Sequence, residues 1–201
     1  MTKELSNFGD HAVASLQANV VGSETVGIEG SYHVVCRDAA GNVKWEDQFP
    51  NLVNAVGKQL MLDTLLSGSA YTTTGPFLGL ISGASPTFAA ADTMTSHSGW
   101  TEFTAYTVGG SAVRGTASFS AATSTGTTPS NVTTKAASAI TYTITGAGGT
   151  VGGCFLVTGT GAVSTLSSTA GTLYSAGAFS TAKVTTAGDT VSVTYSTTAT
   201  S

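Results

Sequence analysis

Ile28-Glu29-Gly30-Ser31-Tyr32-His33-Val34-Val35-Cys36-Arg37-Asp38-Ala39-Ala40-Gly41-Asn42-Val43-Lys44-Trp45-Glu46-Asp47-Gln48-Phe49 reads as a β-hairpin. Tyr32, Val34 and Cys36 alternate with Ser31, His33 and Arg37. Val43, Trp45 and Phe49 share one face of the second run, and Lys44, Glu46 and Gln48 share the other. Alternation of period two places one face on a core and one in water. Asp38 to Asn42 is a turn rich in residues that tolerate positive φ. Asp47 falls on the apolar side, so the second strand is expected to end or bulge there.

On the C-terminal side of the hairpin, Pro50-Asn51 breaks the strand and predicts a helix over 51–67. Asn51 is the expected N-cap. Leu52, Val56 and Leu60 recur at helical spacing, Val53, Leu62, Leu65 and Leu66 widen the stripe, and Gly68 is a natural stop. Such a stripe is wide enough to lie across a sheet. Gly57, inside the helix, points to close packing or to a weaker helix.

Beyond residue 76 the chain reads as strands. Phe77-Leu78-Gly79-Leu80-Ile81 is a continuous apolar run, the mark of a central strand. Ile140, Tyr142 and Ile144 alternate with threonines, as do Val191, Val193 and Tyr195 with Thr and Ser. Val113, Ala117 and Phe119 form a weaker version. The runs 123–130 and 158–169 read as loops, and Ala187-Gly188-Asp189 as a turn. The expected fold is mainly β: an antiparallel β-sandwich or jelly-roll-like domain with one helix and an N-terminal arm plus hairpin. The arm covers 1–27 and has no strong periodicity. A single β-rich domain covers 28–201, divided into hairpin 28–49, helix 51–67 and β-sandwich 76–198.

Composition narrows the function. The 201 residues carry 7 Lys plus Arg, 11 Asp plus Glu and a net charge of -4. Charged residues make up 9%, against roughly 25% in an ordinary soluble domain. Small neutral residues fill the gap, including 25 Gly and 36 Thr. Seven dispersed basic residues cannot neutralise a phosphate track, so no nucleic-acid partner is expected. No apolar window is long enough for a membrane span, so no membrane partner is expected either. The N-terminal stretch lacks the apolar segment of a signal peptide, which predicts synthesis in the cytoplasm. Cys36 and Cys154 sit in no metal or redox motif and read as two buried free thiols. After Ala105 only Arg114, Lys135, Lys183 and Asp189 are charged.

Catalytic patterns are missing. Gly57-Lys58 is no phosphate loop, because Gln59 follows and Leu52 stands where the first glycine belongs. Gly159-Thr160-Gly161-Ala162-Val163-Ser164 lacks the third glycine of a dinucleotide fingerprint. His97 lies near Asp92 and Glu102 in sequence, but serine is so common here that a triad reading carries little weight. Glu46 and Asp47 are adjacent and point to opposite faces of a strand. Trp100, Phe103 and Tyr106 read first as core, then as a subunit interface, then as a platform for sugar rings. The expectation is a non-enzymatic protein with no catalytic, cofactor-binding or metal-binding residues.

A longer pattern resembles small structural proteins of tailed-bacteriophage virions. It comprises Trp45 through Val53 with Gly57-Lys58, Gly79-Leu80-Ile81, Ala91 through Glu102, Gly152 through Leu156, Gly171 through Phe179, and Gly188 through Val191. It covers roughly residues 45–196. The resemblance implies a virion component. The expected role is a capsid decoration, or cement, protein on the phage head surface. Its expected partners are the major capsid protein and itself, as a homotrimer. The arm and hairpin would face the capsid, with Phe8, Leu16 and Val20 as anchors. The alternative is a tail or fibre component that binds a host-surface glycan, which would need Trp100 and Tyr106 exposed.

Overall fold

The computed structural model describes residues 27–66, 75–125, 128–133 and 139–200. Their strands, in chain order, are β1 (Gly27–Arg37), β2 (Val43–Pro50), β3 (Leu52–Val53), β4 (Phe77–Ser82), β5 (Thr101–Phe103), β6 (Tyr106–Thr107) and β7 (Gly115–Thr116). They continue with β8 (Thr123–Thr125), β9 (Thr128–Val132), β10 (Ile140–Ile144), β11 (Gly149–Thr158), β12 (Thr172–Thr185) and β13 (Thr190–Thr200). One helix, α1 (Ala55–Leu66), lies between β3 and β4.

The strands form two antiparallel sheets arranged as a sandwich. The first runs β2-β1-β13-β10-β6, with β9 also on β13 and β8 on β9. The second runs β3-β12-β11-β4-β5, with β7 also on β4. The hairpin is as read: β1 pairs with β2, and Tyr32, Val34 and Cys36 are buried. Strand β2 does not end at Asp47 but runs through to Pro50. The Asp47 carboxylate is tolerated on the inner side because it is fully engaged: Ser180 donates to it from both its N–H and its hydroxyl, at 3.1 and 2.8 Å.

Alternation decides the first sheet. Tyr32, Val34, Tyr142, Val191, Val193 and Tyr195 turn inward to one core, with Leu78, Leu80, Cys154 and Leu156 of the second sheet opposite. The tyrosines carry a polar tip that burial obliges to find a partner. Tyr32 Oη meets Ser175 Oγ at 2.9 Å, and Tyr142 Oη donates to the Leu78 carbonyl at 2.8 Å. Both bonds cross from one sheet to the other.

The second sheet is apolar on both faces. Leu78 and Leu80 look into the shared core, while Phe77 and Ile81 join a second cluster on the far side with Trp100, Phe155, Val157 and Leu173. That explains the unbroken apolar run of β4. Gly79 is required there, because a Cβ would stand 2.4 Å from the Phe155 ring. Strands β11 and β12 show no period-two pattern for related reasons: β11 is buried from Val151 through Thr158, and β12 is rich in small residues. The weak run around Val113 to Phe119 forms only the short β7. The run 123–130, read as a loop, instead supplies the β8–β9 hairpin.

The helix is shorter than its sequence stripe. Leu52 and Val53 pair with Ala176 and Ser175, so they belong to β3 and the helix begins at Ala55. Asn51 is therefore not the N-cap; its amide nitrogen donates to Tyr195 Oη at 2.9 Å. Asn54 takes the capping position with its carbonyl, which accepts from Lys58 N at 3.1 Å. Gly57 is buried against β12, where a Cβ would lie 2.7 Å from the Tyr174 carbonyl oxygen. Close approach, not helix propensity, fixes this glycine. Gly57→Ala should therefore lower stability by about 1–3 kcal/mol, the range for overpacking, rather than raise it by the about 1 kcal/mol of helix propensity. Urea unfolding of the two proteins checks the sign.

Candidate functional site

The ionisable groups are the natural starting point, because so few exist. Arg114 follows the bridge at Val113, in the segment leading into β7, and its side chain is 1% exposed. A buried guanidinium must find partners for its donors. Nε and Nη2 reach Glu102 Oε1 and Oε2 at 2.9 and 2.8 Å, a bidentate pair. Nη2 also donates to the Ser168 carbonyl at 2.7 Å, and the Phe155 ring lies 5.1 Å from the guanidinium carbon. Glu102 Oε2 accepts the Ser167 N–H at 2.7 Å. The pair thus joins β5 and β7 to the loop 159–171 and closes the outer cluster of the second sheet.

Two further pairs involve β2. Lys44 on β2 donates to Asp189, whose side chain also accepts from the Thr186 N–H at 2.8 Å. Burial pushes the Asp189 carboxyl up, but the bonds from Lys44 and Thr186 outweigh it and hold the group below its usual 3.8. Asp47 is likewise held low: burial raises it, and Ser180 and Lys183, the latter at 3.4 Å, pull it down further. Arg114, Lys183 and Asp189, three of the four charges after Ala105, are therefore internal struts.

Of the groups weighed for catalysis, His97 and Glu102 line one pocket of about 250 Å³ with Trp100, Arg114 and Ser168, while Asp92 lies outside it. Asp92 accepts the Ala89 N–H at 3.0 Å in a turn, His97 stacks on Trp100 with 3.8 Å between ring centres, and Glu102 is held by Arg114. Glu46 pairs with His33 on the outer face of the hairpin while Asp47 points inward. Among the described residues no group of three or more His, Cys, Asp or Glu is placed to hold a metal ion. No described helix is long and apolar enough to cross a membrane. Cys36 and Cys154 are buried and unpaired, and burial pushes the Cys36 thiol up to about 11. Trp100, Phe103 and Tyr106 are core, with Trp100 4% and Tyr106 1% exposed. Phe8, Leu16 and Val20 lie outside the described residues.

The surface offers two contrasting faces. The outer side of the first sheet presents Thr141, Thr143, Ser192 and Thr194, with Thr141 Oγ1 and Ser192 Oγ 3.1 Å apart. A shallow groove of about 430 Å³ lies at its edge, between Glu29, Gln48, Ser196 and Thr198. On the second sheet, α1 turns Leu62, Leu65 and Leu66 outward, 58, 75 and 81% exposed. Beside them is an apolar groove of about 260 Å³ between the helix, Thr158 and Tyr174. The exposed leucines were missed in the sequence because the whole stripe was assigned to the sheet. Arg114 was missed as an anchor, although a lone arginine in a nearly uncharged stretch is itself a signal of burial or function.

Compared with models of protein families, with curated proteins and with solved structures, the chain shows no match.

Two outcomes follow from the struts. Arg114→Ala leaves the Glu102 carboxylate buried without its cation and should cost about 3–5 kcal/mol in urea unfolding, with the double change Arg114→Met, Glu102→Leu recovering part of that loss. Asp47 and Asp189 have depressed folded pKa values, so their contribution is present above 3.8 and is lost as pH falls through the lower folded values. Urea midpoints from about pH 7 down to about pH 2 should drop most steeply at the acid end, and Asp189→Asn should flatten that drop.

Proposed function

We propose that this chain is a non-enzymatic structural protein of a tailed-phage particle, a decoration protein that binds the outside of the capsid. The distribution of charge and hydroxyl groups carries the reading. Arg114, Glu102, Lys183, Asp47 and Asp189 are spent on internal ties, and β10 and β13 of the first sheet present threonine and serine outward. A neutral, hydroxyl-coated sheet resists dense packing of copies less than a charged one does. The sequence pattern that resembles phage virion proteins, much of which lies in β2, β4, β11 and β12, supports the same reading.

The mechanism is mass action. A protein that binds only the assembled shell stabilises it by RT ln(1 + [L]/Kd) at each site. A homotrimer bridging neighbouring capsomers would repeat that gain over the head. The charged hairpin of β1 and β2 is the side we assign to the major capsid protein, because Glu29, Arg37, Asp38 and Glu46 are concentrated there.

The glycan-binding alternative loses its platform, because the rings of Trp100 and Tyr106 are buried and cannot stack on a sugar.

Purified particles should contain this chain in numbers comparable to the major capsid protein on a stained gel. A handful of copies per particle, or none, would overturn the decoration role.

A further inference from the structure

The pocket of about 250 Å³ lies between the segment after β4 and the loop 159–171, the two pieces of irregular chain that cover the second sheet. Met94, Trp100 and Phe155 are buried and make its apolar floor, while Thr101, Ser167 and Thr169 are exposed at its rim. Arg114 and Glu102 line it as well, but they are spent on each other. Both Glu102 oxygens accept from Arg114, and Oε2 also accepts the Ser167 N–H. The pair is neutral as a unit, so an ionic ligand would bring a charge that finds no partner here.

One donor has no acceptor. Trp100 is 4% exposed and its Nε1–H is unpartnered. A buried donor left unmet is costly, and each such group in a native fold calls for an explanation. Both faces of the indole are taken, by His97 at 3.8 Å and by Phe155 at 5.1 Å between ring centres, so only its edge is left to offer. His97 Nδ1 lies 3.1 Å from the Trp100 carbonyl, which can only accept. Nδ1 therefore carries the proton, and the neutral ring keeps Nε2 as an acceptor.

We infer that this pocket binds the acetamido group of an N-acetylhexosamine. The acetamido carbonyl accepts from Trp100 Nε1 and its N–H donates to His97 Nε2. Its methyl group rests on Met94 and Phe155, and the ring hydroxyls meet Thr101, Ser167 and Thr169. No sugar face stacks on a ring, so the burial of the Trp100 faces does not stand in the way. A volume of about 250 Å³ exceeds the about 150 Å³ that holds benzene and falls short of the about 300 Å³ where drug-sized pockets begin. It fits one substituted six-membered ring. The rim is formed in advance: Glu102 holds the Ser167 N–H and Arg114 Nη2 holds the Ser168 carbonyl, each at 2.7 Å. Among the described residues Ser167, at φ 60°, is the one non-glycine with positive φ, a conformation the two ties impose on it. A rim ordered beforehand loses little freedom on binding.

The chain has two tryptophans, so a proton–nitrogen correlation spectrum holds two indole signals, and Trp45→Phe assigns them. Added to the isolated full chain, N-acetylglucosamine should move the Trp100 signal saturably, with a Kd on the order of 1 mM, and leave the Trp45 signal in place. Glucose, which has no acetamido group, should move neither. Thr169→Phe and, separately, Thr101→Phe crowd the rim and should each abolish the shift, with unchanged urea midpoints showing that the sandwich is intact. A Trp100 signal that stays put at tens of millimolar overturns the inference. An equal shift with glucose overturns the acetamido assignment, and a shift with N-acetylalanine amide but not with the sugar overturns it in favour of a peptide. A shift that survives both rim variants overturns the site. The readout is taken on the free chain, so it stands apart from any place on a particle.

Discussion

The second sheet is buried on both faces, and most of the remaining architecture follows from that. Strands β4 and β11 cannot touch water on either side. One side is answered by the first sheet, through a continuous core. Among the described residues no third sheet covers the other, and irregular chain does the work. Trp100, Met94 and Phe88 from the segment after β4 and Ala162 from the loop after β11 form that cover. Loops covering a core are a weak solution unless they are tied down, because each carries backbone polar groups that need partners. Arg114 ties one of them: its bonds to Glu102 and to the Ser168 carbonyl, together with the Glu102 bond to Ser167 N, satisfy backbone and side chain at once.

The sparse charge follows the same logic. Isolated surface charges contribute little to stability, and this chain keeps few of them. Six of its ionisable groups, Lys44, Asp47, Glu102, Arg114, Lys183 and Asp189, fasten one element of the sandwich to another. Lys44 and Asp189 fasten β2 to the turn before β13; Asp47 with Ser180 and Lys183 fastens β2 to β12 of the other sheet. A molecule built this way leaves hydroxyl and methyl groups on much of the exterior.

How much of this could be read from the sequence depended on whether a segment has one environment or two. The β1–β2 hairpin, β10 and β13 are wet on one side, so their period-two pattern was clear. Strand β4 is dry on both sides and was legible from its unbroken apolar run. Strands β11 and β12 were not read, because β11 is buried without a break from Val151 through Thr158 and β12 is rich in small residues, with Gly177 close against Phe49 and Pro50 of β2. The helix was legible as an element but not in its start, since Leu52 and Val53 satisfy a helical stripe and a strand pairing equally well. Only tertiary pairing with Ser175 and Ala176 separates the two. The Arg114–Glu102 tie was invisible for a different reason: twelve residues separate its ends, and no local pattern announces a long-range ion pair.

The apolar exterior of α1 is the exception to an otherwise neutral, hydroxyl-rich surface, and it is not explained by the sandwich. Leu62, Leu65 and Leu66 are not needed to hold the helix down; Gly57, Leu60 and Met61 do that against Tyr174, with Tyr174 Oη reaching Met61 Sδ at 3.5 Å. If solubility alone governed this face, polar residues would serve it better. Three leucines within two turns, beside an apolar groove, set this face apart from the hydroxyl-bearing outer side of β10 and β13.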